Sequence, residues 1–204
     1  MLRITGGRAR GRKLAGPKGE AIRPTSDKVR AAIFDLIGQD LQNARVLDLF
    51  AGTGALGLEA LSRGAASAAF VDISPRAVKL IARNLELCGF ESKGSILRRD
   101  LTRGVPWGHP LLRPGADLVF LDPPYGMGLI PPLLGELNRG GRLTGNALVV
   151  AESSKAEDIP KGSGALHAFE ERVYGDTRIC IYHLTSCPDA SKHRGGDADG
   201  EDYD

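Results

Sequence analysis

A short apolar run, Val46-Leu47-Asp48-Leu49-Phe50, passes directly into Ala51-Gly52-Thr53-Gly54-Ala55-Leu56-Gly57. Few folds accommodate such a segment. It reads as a strand, a turn without side chains, and a helix whose start is open to close approach by a ligand. Glycines 52, 54 and 57 satisfy G-x-G-x-x-G, and Asp72 follows about 20 residues on, at the end of the next apolar run. The pattern then repeats. Strands are expected at 45–50, 68–71, 95–97, 116–121 and 147–151, with helices at 56–62, from Ser74-Pro75 to about Gly89, and at 129–138. The run 116–121, apolar except for Asp117, has the character of a buried parallel strand. Two last strands, 167–174 and 178–184, flank Gly175-Asp176 and predict an antiparallel hairpin. The expected class is an open, mostly parallel α/β sheet of Rossmann type with ligands at the carboxyl ends of its strands.

Before this sheet lie a basic arm with Gly6-Gly7 and a helix. Pro24-Thr25-Ser26-Asp27 offers cap candidates, Val29, Ala32, Ile33, Leu36 and Ile37 recur at helical spacing, and Gly38 stops them. Residues 1–30 hold Arg3, Arg8, Arg10, Arg12, Lys13, Lys18, Arg23, Lys28 and Arg30 against Glu20 and Asp27, a local +7 in a chain whose net charge is +2. Lys28 and Arg30 are expected on the exposed side of the helix. The last eight residues carry five acids, Asp197, Asp199, Glu201, Asp202 and Asp204, and read as a solvated tail. A basic arm of this kind suits a polyanionic partner.

With 204 residues there is room for one domain and its core. The expected division is 1–40 for the basic arm and helix, 41–186 for the sheet domain and 187–204 for the acidic tail. Three cysteines, Cys88, Cys180 and Cys187, and four scattered histidines have no metal-ligand spacing, so neither a metal site nor a disulfide framework is expected. No stretch approaches 18 apolar residues and no signal-peptide pattern opens the chain, which predicts a cytoplasmic protein.

The glycine loop alone also suits a dinucleotide. Asp48 separates the two readings: a carboxylate is poorly placed beside a pyrophosphate but well placed beside the cationic sulfonium and ammonium of S-adenosylmethionine (SAM). The Asp-x-x-x-Gly-x-Gly loop resembles that of SAM-dependent methyltransferases. By that resemblance Asp48, Phe50, Ala51, Gly52 and Gly54 line the cofactor, Asp72 holds the ribose hydroxyls, Ile73 flanks the adenine and Asp100 contacts it.

After the fourth strand stands Asp122-Pro123-Pro124-Tyr125. Consecutive prolines fix the backbone and have no N–H of their own, so their carbonyls face outward in a set geometry. Asp122 and the Pro123 carbonyl can accept hydrogen bonds from an exocyclic amino group and aim its lone pair at a methyl donor, while Tyr125 stacks on a planar base that has left its helix. The tetrapeptide is similar to the (Asp/Asn)-Pro-Pro-aromatic signature of amino methyltransferases.

Gly6-Gly7, Arg10-Gly-Arg12-Lys13-Leu14, Arg23-Pro-Thr25-x-Asp27-x-Val29-Arg30, the stretch from Asp48 through Glu59 to Arg63-Gly64, and Leu121-Asp-Pro-Pro-Tyr125 together resemble the bacterial RsmD family over roughly residues 1–185. The resemblance implies transfer of methyl from SAM to the N2 amino group of a guanine in 16S ribosomal RNA of the small subunit. It makes Arg10, Arg12, Lys13, Arg23 and Arg30 phosphate contacts, whereas Thr25, Ser26 and Asp27 serve equally as helix caps or RNA contacts. A glutamate that commonly follows the Val-Arg pair is here Ala31. Arg63 is expected to end its helix, Glu152 either to line the pocket or to pair locally, and Tyr174 to belong to the core or the base-side wall. A monomer is expected. Other readings are an adenine-N6 methyltransferase, a non-catalytic RNA-binding assembly factor and an NAD-dependent oxidoreductase. The last leaves Asp-Pro-Pro-Tyr without a role.

Overall fold

The computed structural model describes residues 2–17 and 26–185. Eight strands form one sheet: β1 Arg45–Leu49, β2 Ser67–Asp72, β3 Gly94–Arg98, β4 Ala116–Leu121, β5 Leu143–Ser154, β6 Gly162–Ser163, β7 Leu166–Tyr174 and β8 Thr177–Leu184. The helices are α1 Asp27–Ile37, α2 Ala55–Ser62, α3 Pro75–Cys88 and α4 Ile130–Arg139, joined by two short 3₁₀ turns before β4. The strand order is β3-β2-β1-β4-β5-β8-β7-β6. β1 to β5 run parallel, and β8, β7 and β6 add on antiparallel, as expected of a parallel sheet closed by a hairpin.

Helix ends follow the local chemistry. Ser26 caps α1 by accepting from the Val29 N–H at 3.2 Å, and Ser74 caps α3, which opens on Pro75 and ends at Gly89 in the left-handed region. β5 is longer than the apolar run 147–151. Its first residues include Gly145 and Asn146, poor strand formers, and the register against β4 shifts between Ala116 and Leu118.

Alternation along the strands gives the sheet two buried faces. Val46, Phe70, Leu118, Phe120 and Ile181 pack under α1, α2 and α3, while Leu47, Leu49, Val119, Leu121 and Tyr182 pack under α4 and the 3₁₀ turns. Tyr174 packs against the first of these clusters.

The arm is a narrow ribbon held by an Arg3–Lys13 bridge and by Ile4 N–H to Arg12 O at 3.0 Å. Ile4, Ala9 and Leu14 are buried in the same core as α1 and α2. Ser62 of α2 fastens it: its carbonyl accepts from the Arg8 N–H at 2.8 Å, and its hydroxyl accepts from the Ala9 N–H and donates to Gly6 O. Gly7, at φ 72°, makes this approach possible, since a Cβ there would meet Ser62 O at 2.0 Å.

Arg30 departs from expectation. It is fully buried, not exposed. Its Nε lies 3.3 Å from Glu59 Oε2, and its Nη2 donates to Asp27 Oδ1 at 2.8 Å and to the Arg3 carbonyl. Held inside by two carboxylates, it is a strut between α1, α2 and the arm and faces no phosphate. Arg63 ends α2 as expected, pairs with Glu59 at 2.9 Å and lies over the Phe34 ring. Among the described residues no helix is long and apolar enough to cross a membrane, and no group of three or more His, Cys, Asp or Glu could hold a metal ion.

Candidate active site

The turn after β1 is built on unusual backbone. Phe50 has φ 61°, a conformation bulky side chains rarely take, and Gly54 takes the left-handed region to cap α2. Asp72, at the end of β2, holds the turn: its Oδ2 accepts from the Gly52 N–H at 2.8 Å and its Oδ1 from the Ser74 N–H at 2.8 Å. Asp48 lies beneath, almost wholly buried, and accepts from the Gly57 N–H at 2.9 Å. Burial pushes its carboxyl up to about 8; the Gly57 N–H works against that and the Asp72 charge adds to it. A third support comes from α3. The buried Asn84 side chain donates to the Thr53 carbonyl of the turn at 2.9 Å and to the Ala15 carbonyl of the arm at 3.0 Å, and accepts from the Ala15 N–H at 2.7 Å.

Gly57 is the tightest point of the three loop glycines. A Cβ there would lie 2.4 Å from Phe70 Cε1 and 3.1 Å from Asp48 Oδ2. Phe70 is fully buried and has nowhere to retreat. Alanine is the better helix former by about 1 kcal/mol, but the overlap outweighs that gain. Gly57→Ala is therefore expected to destabilise the fold by roughly 1–3 kcal/mol, read from urea unfolding. A variant as stable as the parent would show that α2 can shift away from β1 without cost.

At the end of β4, Leu121 pairs with Ala151 of β5, so Asp122, just past β4, comes beside Glu152, which is still within β5 and pairs with Ile179 of β8. Pro123 is buried and Pro124 exposed. The Tyr125 hydroxyl donates to Glu152 Oε1 at 2.9 Å and lies 3.2 Å from Thr177 Oγ1 on β8. Burial, with the carboxylates Glu152 and Asp122 nearby, pushes the phenol up to about 12, so it remains a neutral donor. Tyr125 as a whole is 38% exposed.

These two turns share one cavity of about 510 Å³. It brings together Asp48, Phe50, Ala51, Gly52, Asp72 and Ile73 from the cofactor set with Asp122, Pro123 and Tyr125 from the reaction set. Gly54 stands behind the lining as the helix cap. Asp100 is not in the lining; its Oδ1 accepts from the Thr102 N–H at 2.9 Å and caps the short turn after β3. Thr53, Ala55, Leu56, Ser74, Ala77 and Pro124 complete the wall, and Glu152, which the sequence left between two roles, faces the cavity at 7% exposure. On the arm, Arg10, Arg12 and Lys13 are exposed. Arg23 and Thr25 lie outside the described residues.

Among the described residues the lining contains four carboxylates, Asp48, Asp72, Asp122 and Glu152, and no Lys, Arg or His. A pyrophosphate finds no cationic side chain there, whereas a ligand carrying a sulfonium and an ammonium meets carboxylates of opposite charge and favours the ionised form of Asp48. The site fits SAM, and the dinucleotide reading falls.

Comparison with known proteins agrees with this geometry. A family model described as conserved hypothetical protein 95 matches residues 2–183. The ribosomal RNA small subunit methyltransferase D of Escherichia coli K12 is 33% identical over 182 residues, covering 89% of both chains. Among solved structures, a hypothetical protein of Thermus thermophilus superposes with a TM-score of 0.73 at 32% identity, over 89% of this chain and 98% of that one. An RNA methyltransferase of Salinibacter ruber in complex with S-adenosyl-L-homocysteine shares the fold, with a TM-score of 0.57 at 17% identity over 81% and 97% of the two chains. The chain belongs to the conserved hypothetical protein 95 family, the RsmD family of methyltransferases.

Proposed function

We propose that this protein methylates the exocyclic N2 amino group of a guanine in 16S ribosomal RNA, within the small subunit or an assembly intermediate, as a cytoplasmic monomer. The observation that carries the reading is the meeting of Asp122-Pro123 and the glycine loop in one acidic cavity. The name of the Escherichia coli relative supports the choice of substrate.

SAM, when bound by this loop, would supply a methyl group on a positively charged sulfur that departs as a neutral thioether. The chain supplies alignment. Asp72 holds the turn against β2, and Asp48, ionised beside a cationic ligand, adds attraction from below. Asp122 and the Pro123 carbonyl take the two amino hydrogens, which draws the nitrogen toward tetrahedral geometry and turns its lone pair to the methyl carbon. Once the new N–C bond has formed, the nitrogen is strongly acidic and its extra proton passes to Asp122 and on to water. Tyr125 covers the face of the extruded base.

The arm and α1 hold the RNA in this reading. Arg10, Arg12 and Lys13 stand exposed on the ribbon, which fits contacts that position without reading sequence. Replacing all three with Ser is expected to weaken RNA binding and to lower the slope of log K against log salt by up to about 2–3 units, at about 0.7–0.9 for each phosphate no longer neutralised. An unchanged slope would return the arm to a solubility role.

The reading is tested by transfer of labelled methyl from SAM to unmodified small subunits, free 16S RNA and adenine-containing duplex DNA, with the product identified by mass spectrometry. N2-methylguanine at one site supports it. N6-methyladenine instead would move the protein to the adenine enzymes, and bound SAM without any transfer would favour an assembly factor.

A further inference from the structure

Glu152 is a carboxylate that the chemistry above does not use. It sits within β5, one residue beyond the partner of Leu121 and so beside Asp122, lies almost wholly inside the cavity wall, and accepts the Tyr125 hydroxyl through Oε1. Thr177, opposite Ser154 in the β5–β8 pairing, closes the same corner and is itself buried. A carboxylate has two oxygens and about four acceptor positions, so it can take a ligand donor in addition to its protein partners.

The two bases that carry a methylatable amino group differ in what stands next to it. In guanine the neighbour of the 2-amino group along the pairing edge is N1–H, a donor. In adenine the neighbour of the 6-amino group is N1 without hydrogen, an acceptor. Asp122 and Pro123 serve any amino group and cannot tell the two apart. An anionic acceptor one strand over can: it gains a charge-assisted hydrogen bond from guanine and meets a lone pair in adenine.

We infer that Glu152 accepts the N1–H of the target base and thereby makes this pocket a guanine pocket. Glu152 is a specificity residue in this account, and it rests on the guanine-N2 reading above. The inference also gives the Tyr125 hydroxyl a second task, since the 2.9 Å bond fixes the carboxylate at the rim where the pairing edge arrives.

The test compares wild type with Glu152→Gln on small subunits reconstituted with 16S RNA carrying either guanine or 2-aminopurine at the methylated position. 2-Aminopurine keeps the amino group but presents a bare N1 and lacks O6. Loss of O6 affects both enzymes alike and cancels when the two ratios are compared. The glutamine amide can turn its NH₂ to a bare N1. The variant is expected to lose about 10- to 100-fold in kcat/KM on guanine and less than about 3-fold on 2-aminopurine, with SAM affinity unchanged by calorimetry. Equal losses on both bases would reduce Glu152 to a support for Tyr125 and overturn the inference. Loss of SAM binding would also overturn it, by placing Glu152 in the cofactor site. Absence of N2-methylguanine with the wild-type protein would instead bring down the functional reading itself.

Discussion

Replacing Asp122 with alanine is expected to cut the rate of methyl transfer by about 10²- to 10³-fold and to leave SAM affinity within about 2- to 3-fold of the parent. The magnitude follows from the role proposed for the side chain. An exocyclic amino nitrogen is a poor nucleophile because its lone pair is shared with the ring. A fixed acceptor helps only while that nitrogen is changing geometry, so its removal costs rate more than binding. Asp122 stands at the end of β4, whereas the turn and its support from Asp72 belong to β1 and β2. Single-turnover transfer to small subunits measures the first quantity, and titration with S-adenosylhomocysteine the second. Asp122→Asn keeps an acceptor oxygen and should fall between the two. A variant that loses cofactor affinity in step with rate would move Asp122 into the cofactor site.

Glu59 carries the other large expectation. Its carboxylate, with no exposed surface, accepts from the Thr5 N–H and hydroxyl, from the Gly6 N–H, and from the guanidinium groups of Arg30 and Arg63. Removing one member of a buried ionic group strands the others without their counter-charge. Glu59→Ala is expected to lower stability by about 3–5 kcal/mol. That is a large part of the roughly 5–15 kcal/mol typical of a domain. Urea unfolding would show it as a lower midpoint, and the arm should become open to proteolysis near its exposed basic residues before the rest of the chain unfolds. A loss under about 1 kcal/mol would mean that water enters and takes over the role of the carboxylate.

Most of the sheet could be read from the chain because its strands carry short apolar runs bounded by turn or capping residues such as Gly52, Ser74-Pro75, Asp100 and Pro123-Pro124. β1 to β4 and the β7–β8 hairpin lie within a residue or two of their predicted places. The two-residue β6 has too little sequence to carry a period, and the start of β5 hides behind Gly145 and Asn146. The two turns that line the cavity were legible because glycine and proline constrain backbone whatever surrounds them. Long-range pairing was not. Arg30 sits three, four and seven residues before Ile33, Phe34 and Ile37, on the apolar face of α1, and its charge alone suggested exposure. The matching sign was Glu59, the one charged residue within α2, but nothing local says which arginine it meets. Asp100 likewise satisfies a cap within two residues of itself, which no spacing rule distinguishes from a ligand contact.

Asn84 has a consequence for how such a protein can change over generations. Through one side chain the ribbon at Ala15 and the carbonyl of Thr53 are held to the same helix. A lineage that reshaped the ribbon to suit a different RNA would carry the neighbouring turn along with it. If the ribbon holds the nucleic acid as proposed, selection for it and selection for the methyl donor meet at this amide, as they do at Glu59 and Ser62 of α2, so that one preference cannot drift far while the other is kept.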